Sequence, residues 1–115
     1  ERAFANLINN ALEATIQASR DKKEILIEIN DEVNGISVSI TDNGIGILPQ
    51  KLVHIFEPFY TTKETGIGLG LANAKESIEE IHSGRLRVVS RFGHGTTFTI
   101  FLPFEPPNQP TLEVI

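Results

Sequence analysis

The chain has 115 residues, 40% of them hydrophobic, a net charge of −5 and no cysteine. That length suits one globular domain with a real core and no room for a second, and the missing thiols exclude a disulfide scaffold or a thiolate metal site. An acidic chain without a basic run is a poor partner for nucleic acid or an anionic membrane surface, and no stretch is apolar enough for a membrane span or a signal peptide.

Phe4, Leu7, Ile8, Ala11, Leu12 and the apolar positions from Ala14 to Ala18 recur at helical spacing. They predict an amphipathic helix of about four turns. Asn6, Asn10, Glu13 and Gln17 form a second stripe on it, each three or four positions from the last. Asparagine is a mediocre helix former with a short amide, so Asn6, Asn9 and Asn10 are either plain surface polarity or amides kept for a ligand. The pattern begins at Glu1, as in a piece of something longer.

Ile25, Ile27 and Ile29 alternate with Leu26 and Glu28 and predict a strand. Asn34-Gly35 is a strong hairpin signal leading into a second strand, Ile36 to Asp42. Ile36, Val38 and Ile40 share one face of that strand, and Asp42 falls in the same register. A carboxylate that continues an apolar register needs a hydrogen-bond donor. That donor is either the backbone of the following Asn43-Gly44 turn or a ligand.

Gly44 and Gly46 then break the strand and let the main chain lie against something flat. Pro49 opens a short helical turn running to Ile55. Phe56 to Thr65 has aromatics, then hydroxyls and Lys63, without periodicity. This reads as a mobile lid hinged to the core by Phe56 and Phe59, with Lys63 in reach of a phosphate.

The run Gly66-Ile67-Gly68-Leu69-Gly70-Leu71 follows and passes into a helix carrying Leu71, Ala74, Ile78 and Ile81. Alternate glycines ahead of a helix N-terminus form a phosphate cradle or a flexible turn. It is no dinucleotide fingerprint, since Leu71 and Asn73 stand where glycine or alanine belongs, and no P-loop, since Gly-Lys-Ser/Thr is absent. Ser83-Gly84 stops the helix. Arg85 to Arg91 and Thr96 to Leu102 predict two strands joined at Phe92-Gly93-His94-Gly95, and the Pro-rich run from Pro106 to Pro110 cannot join a sheet.

In order, Asn6-Leu7-Ile8-Asn9-Asn10-Ala11, Asp42-Asn43-Gly44-Ile45-Gly46, Phe56-Glu57-Pro58-Phe59, the 66–71 glycine run and Gly93-His94-Gly95-Thr96 resemble a known set. They are similar to the N box, glycine boxes and F box of the catalytic, ATP-binding domain of sensor histidine kinases, within the gyrase, heat-shock chaperone and MutL ATPase superfamily. The resemblance implies an α/β (α+β) two-layer sandwich of the Bergerat type, with a mixed, mostly antiparallel sheet and helices on one face. It implies one such domain over residues 1–104, without the strand that precedes the first helix in the family, and a tail over 105–115.

The resemblance further implies ATP and Mg2+ as cofactors. Asn10 corresponds to the magnesium ligand, with Asn6 one turn earlier lining the same site. Asp42 corresponds to the acceptor of the adenine amino group, and Gly44, Gly46, Ile47 and Phe59 would lie about the base with Thr96 or Thr97. Lys63, Gly66, Gly68, Leu69, Gly70 and Leu71 would serve the phosphates, and Asn6, Asn10 and Lys63 the transfer step. Glu13 stands where many relatives carry a basic residue.

His54, His82 and His94 are followed by Ile55, Ser83 and Gly95, whereas a phosphoacceptor histidine is usually followed by an acid. The implied partner is therefore a histidine-bearing dimerisation domain outside this chain, with a response regulator receiver domain downstream. The expected setting is the cytoplasm, with the full-length protein either free or anchored in the inner membrane. Alternatives are a self-contained ATPase or serine kinase of the same fold, or a nucleotide sensor without activity. Position 6 separates the first of these, because hydrolysing relatives carry glutamate there and this chain has Asn6.

Overall fold

The computed structural model describes residues 2–60 and 70–104. The expected lid from position 61, with Lys63, Gly66, Gly68 and Leu69, and the tail from 105 lie outside them. The first helix, α1, runs Arg2–Ala18 and buries Ala3, Leu7, Ala11 and Thr15, one residue per turn along a single line. The Thr15 hydroxyl is satisfied in place, donating to the Leu12 carbonyl at 2.7 Å. Ser19, at φ 54°, ends the helix.

Strands β1 (Ile25–Glu32) and β2 (Gly35–Asp42) form a hairpin. Its turn is Val33-Asn34, one position earlier than the Asn34-Gly35 signal suggests, and Gly35 is the first residue of β2, opposite Glu32. The glycine is required by packing: a Cβ there would lie 2.2 Å from the Leu102 carbonyl oxygen. A short helix α2 (Pro49–Leu52) follows, with proline in its first turn as expected, and irregular turns carry the chain past buried Ile55. Phe56 meets Phe98 edge-on, with ring centroids 6.4 Å apart. Phe59 does not anchor to the core: it is 73% exposed and sits at φ 69°.

Helix α3 (Gly70–Glu76) widens into a π-helical turn over Ser77–Ile81, where His82 N–H donates to the Ser77 carbonyl at 3.2 Å. The expected single helix to Ile81 is thus in two registers. Ser83, at φ 56°, and Gly84 close it, and the Gly84 amide caps the Ile78 carbonyl at 2.7 Å. Strands β3 (Arg85–Arg91) and β4 (Gly95–Pro103) complete a sheet ordered β1-β2-β4-β3. Every pairing in it, among the described residues, is antiparallel.

The core lies between the central strands and the helices. Along β2 and β4 the facing pairs are Val38 with Ile100, Ile40 with Phe98, and then Asp42 with Thr96. The first four are buried apolar residues, and the last pair continues their face as buried polar ones. The outer face of the sheet is solvated: Leu26, Glu28, Asn30 and Glu32 on β1, a hydroxyl ladder in the middle, and Arg85, Arg87, Val89 and Arg91 on β3. The ladder is real hydrogen bonding, with Ser39 to Thr99 at 3.3 Å and Thr41 to Thr97 at 3.0 Å.

Leu7 is fully buried at the centre of the helix–sheet contact. Leu7→Ala is expected to cost about 2–5 kcal/mol, seen as a lower denaturant midpoint at an unchanged slope.

Candidate functional site

Asp42, the last residue of β2, is only 4% exposed. Its Oδ1 accepts the Gly44 amide at 2.8 Å, the turn expected from an aspartate before Asn-Gly. Its Oδ2 is buried and, among the described residues, has no hydrogen-bond partner. Burial pushes the carboxyl above its ordinary value of 3.8, against the opposing pull of the Gly44 and Thr96 amides. The sequence left turn and ligand open as partners for this carboxylate: one oxygen is spent on the turn, and the other has no donor among the described residues.

The turn after Asp42 is held on every side. The Asn43 side chain accepts the Glu24 amide at 2.9 Å and donates to the Lys22 carbonyl at 2.7 Å. Gly44 is pressed against the C-terminal part of α1, where a Cβ would come within 2.5 Å of the Ala14 carbonyl carbon. The next amide, Ile45 N–H, donates to the Ala14 carbonyl at 3.1 Å. Gly46 takes φ 76°, and a Cβ there would meet the Arg91 carbonyl oxygen at 2.3 Å. Both glycines are thus demanded by a backbone already in place, independently of any ligand. Ile47 N–H donates to Ser90 Oγ at 2.8 Å. That hydroxyl in turn donates to the Gly95 carbonyl at 3.1 Å and shares a 2.8 Å bond with Thr96 Oγ1.

Thr96 and Thr97, grouped by sequence, separate by strand register. Thr96 is buried opposite Asp42, whereas Thr97 turns to the solvated face and bonds Thr41. On α1, Asn10 lies at mid-helix, one turn before Ala14, the residue that Gly44 touches. Asn6 Nδ2 donates to the Gly70 carbonyl at 3.1 Å, tying the stripe to the start of α3. Leu71 packs against the core beside it. Among the described residues the side chain of half-buried Asn10 has no hydrogen-bond partner, and no three His, Cys, Asp or Glu side chains converge as a metal centre. Asn10 therefore offers a neutral amide oxygen, a hard ligand of the kind magnesium accepts alongside phosphate oxygens.

The histidines are placed as the sequence suggests. His94 is in the β3–β4 turn and His82 directly follows the helical segment. His54 is exposed, with its Nδ1 2.9 Å from Glu57 Oε2 and its ring beside Tyr60.

Two residues of the site were missed. Ser90 had a readable signal, since it continues the register of Leu86 and Val88 as Asp42 continues that of Ile40. Arg20 had none. Its Nε donates to the Asn43 carbonyl at 2.9 Å and its Nη2 to the carbonyls of Gly44, at 3.4 Å, and Gly93.

A buried carboxylate, a turn with two close-packed glycines and an asparagine tied to the start of a second helix thus flank the same helix, α1. The chain belongs to the histidine kinase-, DNA gyrase B- and HSP90-like ATPase family, whose pattern it matches over residues 1–106. It is 41% identical over 103 residues to the sensor histidine kinase ZraS of Escherichia coli K12, covering 90% of this chain and 22% of that protein. To the sensor protein CitS of Bacillus subtilis 168 it is 38% identical over 102 residues, covering 89% of this chain and 18% of that one. The fold matches the catalytic domain of the histidine kinase ThkA with a TM-score of 0.74 at 34% identity, covering 88% of this chain and 63% of that one. The mycobacterial sensor histidine kinase MprB matches with a TM-score of 0.73 at 33% identity, covering 91% and 70%. The chain thus spans roughly a fifth of the length of the curated relatives ZraS and CitS, 22% and 18%.

A carboxyl whose folded value is raised stabilises the native state most when protonated, and that advantage is lost as pH rises from the unfolded value through the folded one. Asp42→Asn keeps an oxygen for the Gly44 amide and removes the buried charge. It is expected to raise the stability of the ligand-free domain at neutral pH by on the order of 1 kcal/mol. The gain should fade toward and below the ordinary carboxylate range, where parental Asp42 is itself protonated. Thermal melts of both proteins across that pH range check it.

Proposed function

We propose that this chain is the ATP-binding catalytic domain of a sensor histidine kinase, which delivers the γ-phosphoryl group to a histidine carried outside this chain. The observation that carries the nucleotide assignment is Asp42 Oδ2, a buried acceptor with no hydrogen-bond partner among the described residues, at the head of the Asn43–Gly46 turn. An exocyclic adenine amine supplies the donor that this oxygen lacks, and a charge-assisted bond there offsets the desolvation of the carboxylate. Ile47 and Thr96 would lie beside the base, next to a turn whose two glycines are already packed against α1 and β3.

Asn10 would hold Mg2+ through its amide oxygen, and Lys63, Gly66, Gly68, Leu69, Gly70 and Leu71 are the residues proposed to serve the phosphates. ATP bound here would be the phosphoryl donor, and a magnesium ion held with it would offset the charge that develops during in-line transfer. This domain's own residues bind, orient and exclude water. None of them needs to be a nucleophile. The acceptor is a histidine on a helical hairpin dimerisation domain, and a response regulator receiver domain takes the phosphoryl group next. The setting is the cytoplasm, and no helix among the described residues is long and apolar enough to cross a membrane.

A self-contained ATPase needs a base for water, and here the structure disfavours it. Asn6 has an amide without useful proton affinity, and that amide is already engaged with Gly70. Isothermal titration with a non-hydrolysable ATP analogue is expected to give magnesium-dependent binding. Asp42→Asn should weaken it at least tenfold, since a hydrogen bond to a charged group is worth about 1.5–3 kcal/mol. Unchanged affinity would sink the adenine assignment.

With labelled ATP, the chain alone is expected neither to label itself nor to turn ATP over at an appreciable rate, and label should appear on an added histidine hairpin. Brisk hydrolysis by the chain alone would instead favour the ATPase reading.

A further inference from the structure

We infer that Arg20 is a positioning residue for base recognition: its guanidinium locks the Asn43-Gly44 turn to the tip of the β3–β4 hairpin and so fixes the orientation of Asp42. The inference rests on the reading of Asp42 as the adenine acceptor and adds a residue that does not touch the nucleotide.

Arg20 lies beyond the end of α1, half-buried, and its donors go to carbonyls of two segments far from it in sequence. Nε reaches Asn43, and Nη2 is shared between Gly44 and Gly93. None of these acceptors belongs to α1, so the side chain is no helix cap. Nor is it a counter-ion for Asp42. Its contacts are carbonyl oxygens, and the carboxylate's own bond within the turn comes from the Gly44 amide.

The clamp is closed from the opposite side. Gly93 N–H donates to the Ile45 carbonyl at 2.6 Å, so both backbone groups of Gly93 are committed to the turn and to the arginine that grips it. The gripped carbonyls belong to the residues just after Asp42, and movement of that turn moves the carboxylate with it. A planar fork with several fixed donors can hold carbonyls that diverge in this way, whereas the point charge of lysine cannot.

A role confined to stability would weaken the fold without changing which base is preferred, so base preference is the readout. ATP and GTP analogues are titrated calorimetrically into the chain and into Arg20→Lys and Arg20→Gln, well below each variant's melting temperature, with Asp42→Asn alongside. The expected result is a loss of about tenfold or more in ATP affinity in both Arg20 variants, a smaller change for GTP, and faster amide exchange at Gly44, Ile45 and Gly93. Equal losses for both nucleotides, or no loss, overturn the positioning role, and so does failure of both variants to melt cooperatively. If Arg20 variants bind normally while Asp42→Asn does not, only this inference falls. If Asp42→Asn also binds normally, the adenine reading itself has failed.

Discussion

The close approach of one backbone to another, at Gly44 on the end of α1, is the constraint from which the rest of the site follows. Gly44 lies so close to Ala14 that any side chain there would collide with the helix. Seating it delivers the Ile45 amide to the Ala14 carbonyl and brings the Gly44 amide to Asp42 Oδ1. One carboxylate oxygen is thereby consumed and the other stays dry. Carboxylates are seldom buried without compensation, because desolvation alone favours the neutral form. A site that keeps one this way carries a cost in its free state that a donor-bearing ligand removes, and differential binding of this kind is what couples occupancy to stability.

The sheet distributes its burial unevenly, and the site sits where burial is deepest. β2 and β4, the central strands, place Ile40 with Phe98 and then Asp42 with Thr96 under the helices. β1, by contrast, leaves Ile27 and Ile29 substantially exposed on the helix face. Its edge carries Glu28, Asp31 and Glu32, charges of the sort that discourage a second copy from adding to an open strand.

Much of this was legible before any coordinates. The helix over the N-terminal stripe, the strands and the glycine turns follow from period and turn chemistry, and Asp42 was exposed as special by a register that every neighbour fills with an apolar residue. Other features depend on partners far along the chain. That Gly35 serves contact with Leu102 rather than turn conformation, and that Thr96 rather than Thr97 shares Asp42's face, are facts of strand pairing. The π turn after Glu76 has no local signature in Ser77 to Ile81. Arg20 is the clearest limit, because a lone cation beyond a helix end reads as solvated until the carbonyls it serves are assembled around it.

Those distant pairings also separate what is local in the site from what is not. Thr41 and Thr97 bond each other from positions 56 apart, with α2, the 61–69 segment and α3 all strung between them. The β1–β2 hairpin can form from neighbours alone, whereas joining β2 to β4 must first close that long loop and meet its entropy. Until it closes, Asp42 ends a solvated hairpin and is an ordinary surface acid. Its desolvation and its opposite partner Thr96 both depend on the β2–β4 ladder, so the buried carboxylate is a property of the long-range pairing and not of the local hairpin that carries it.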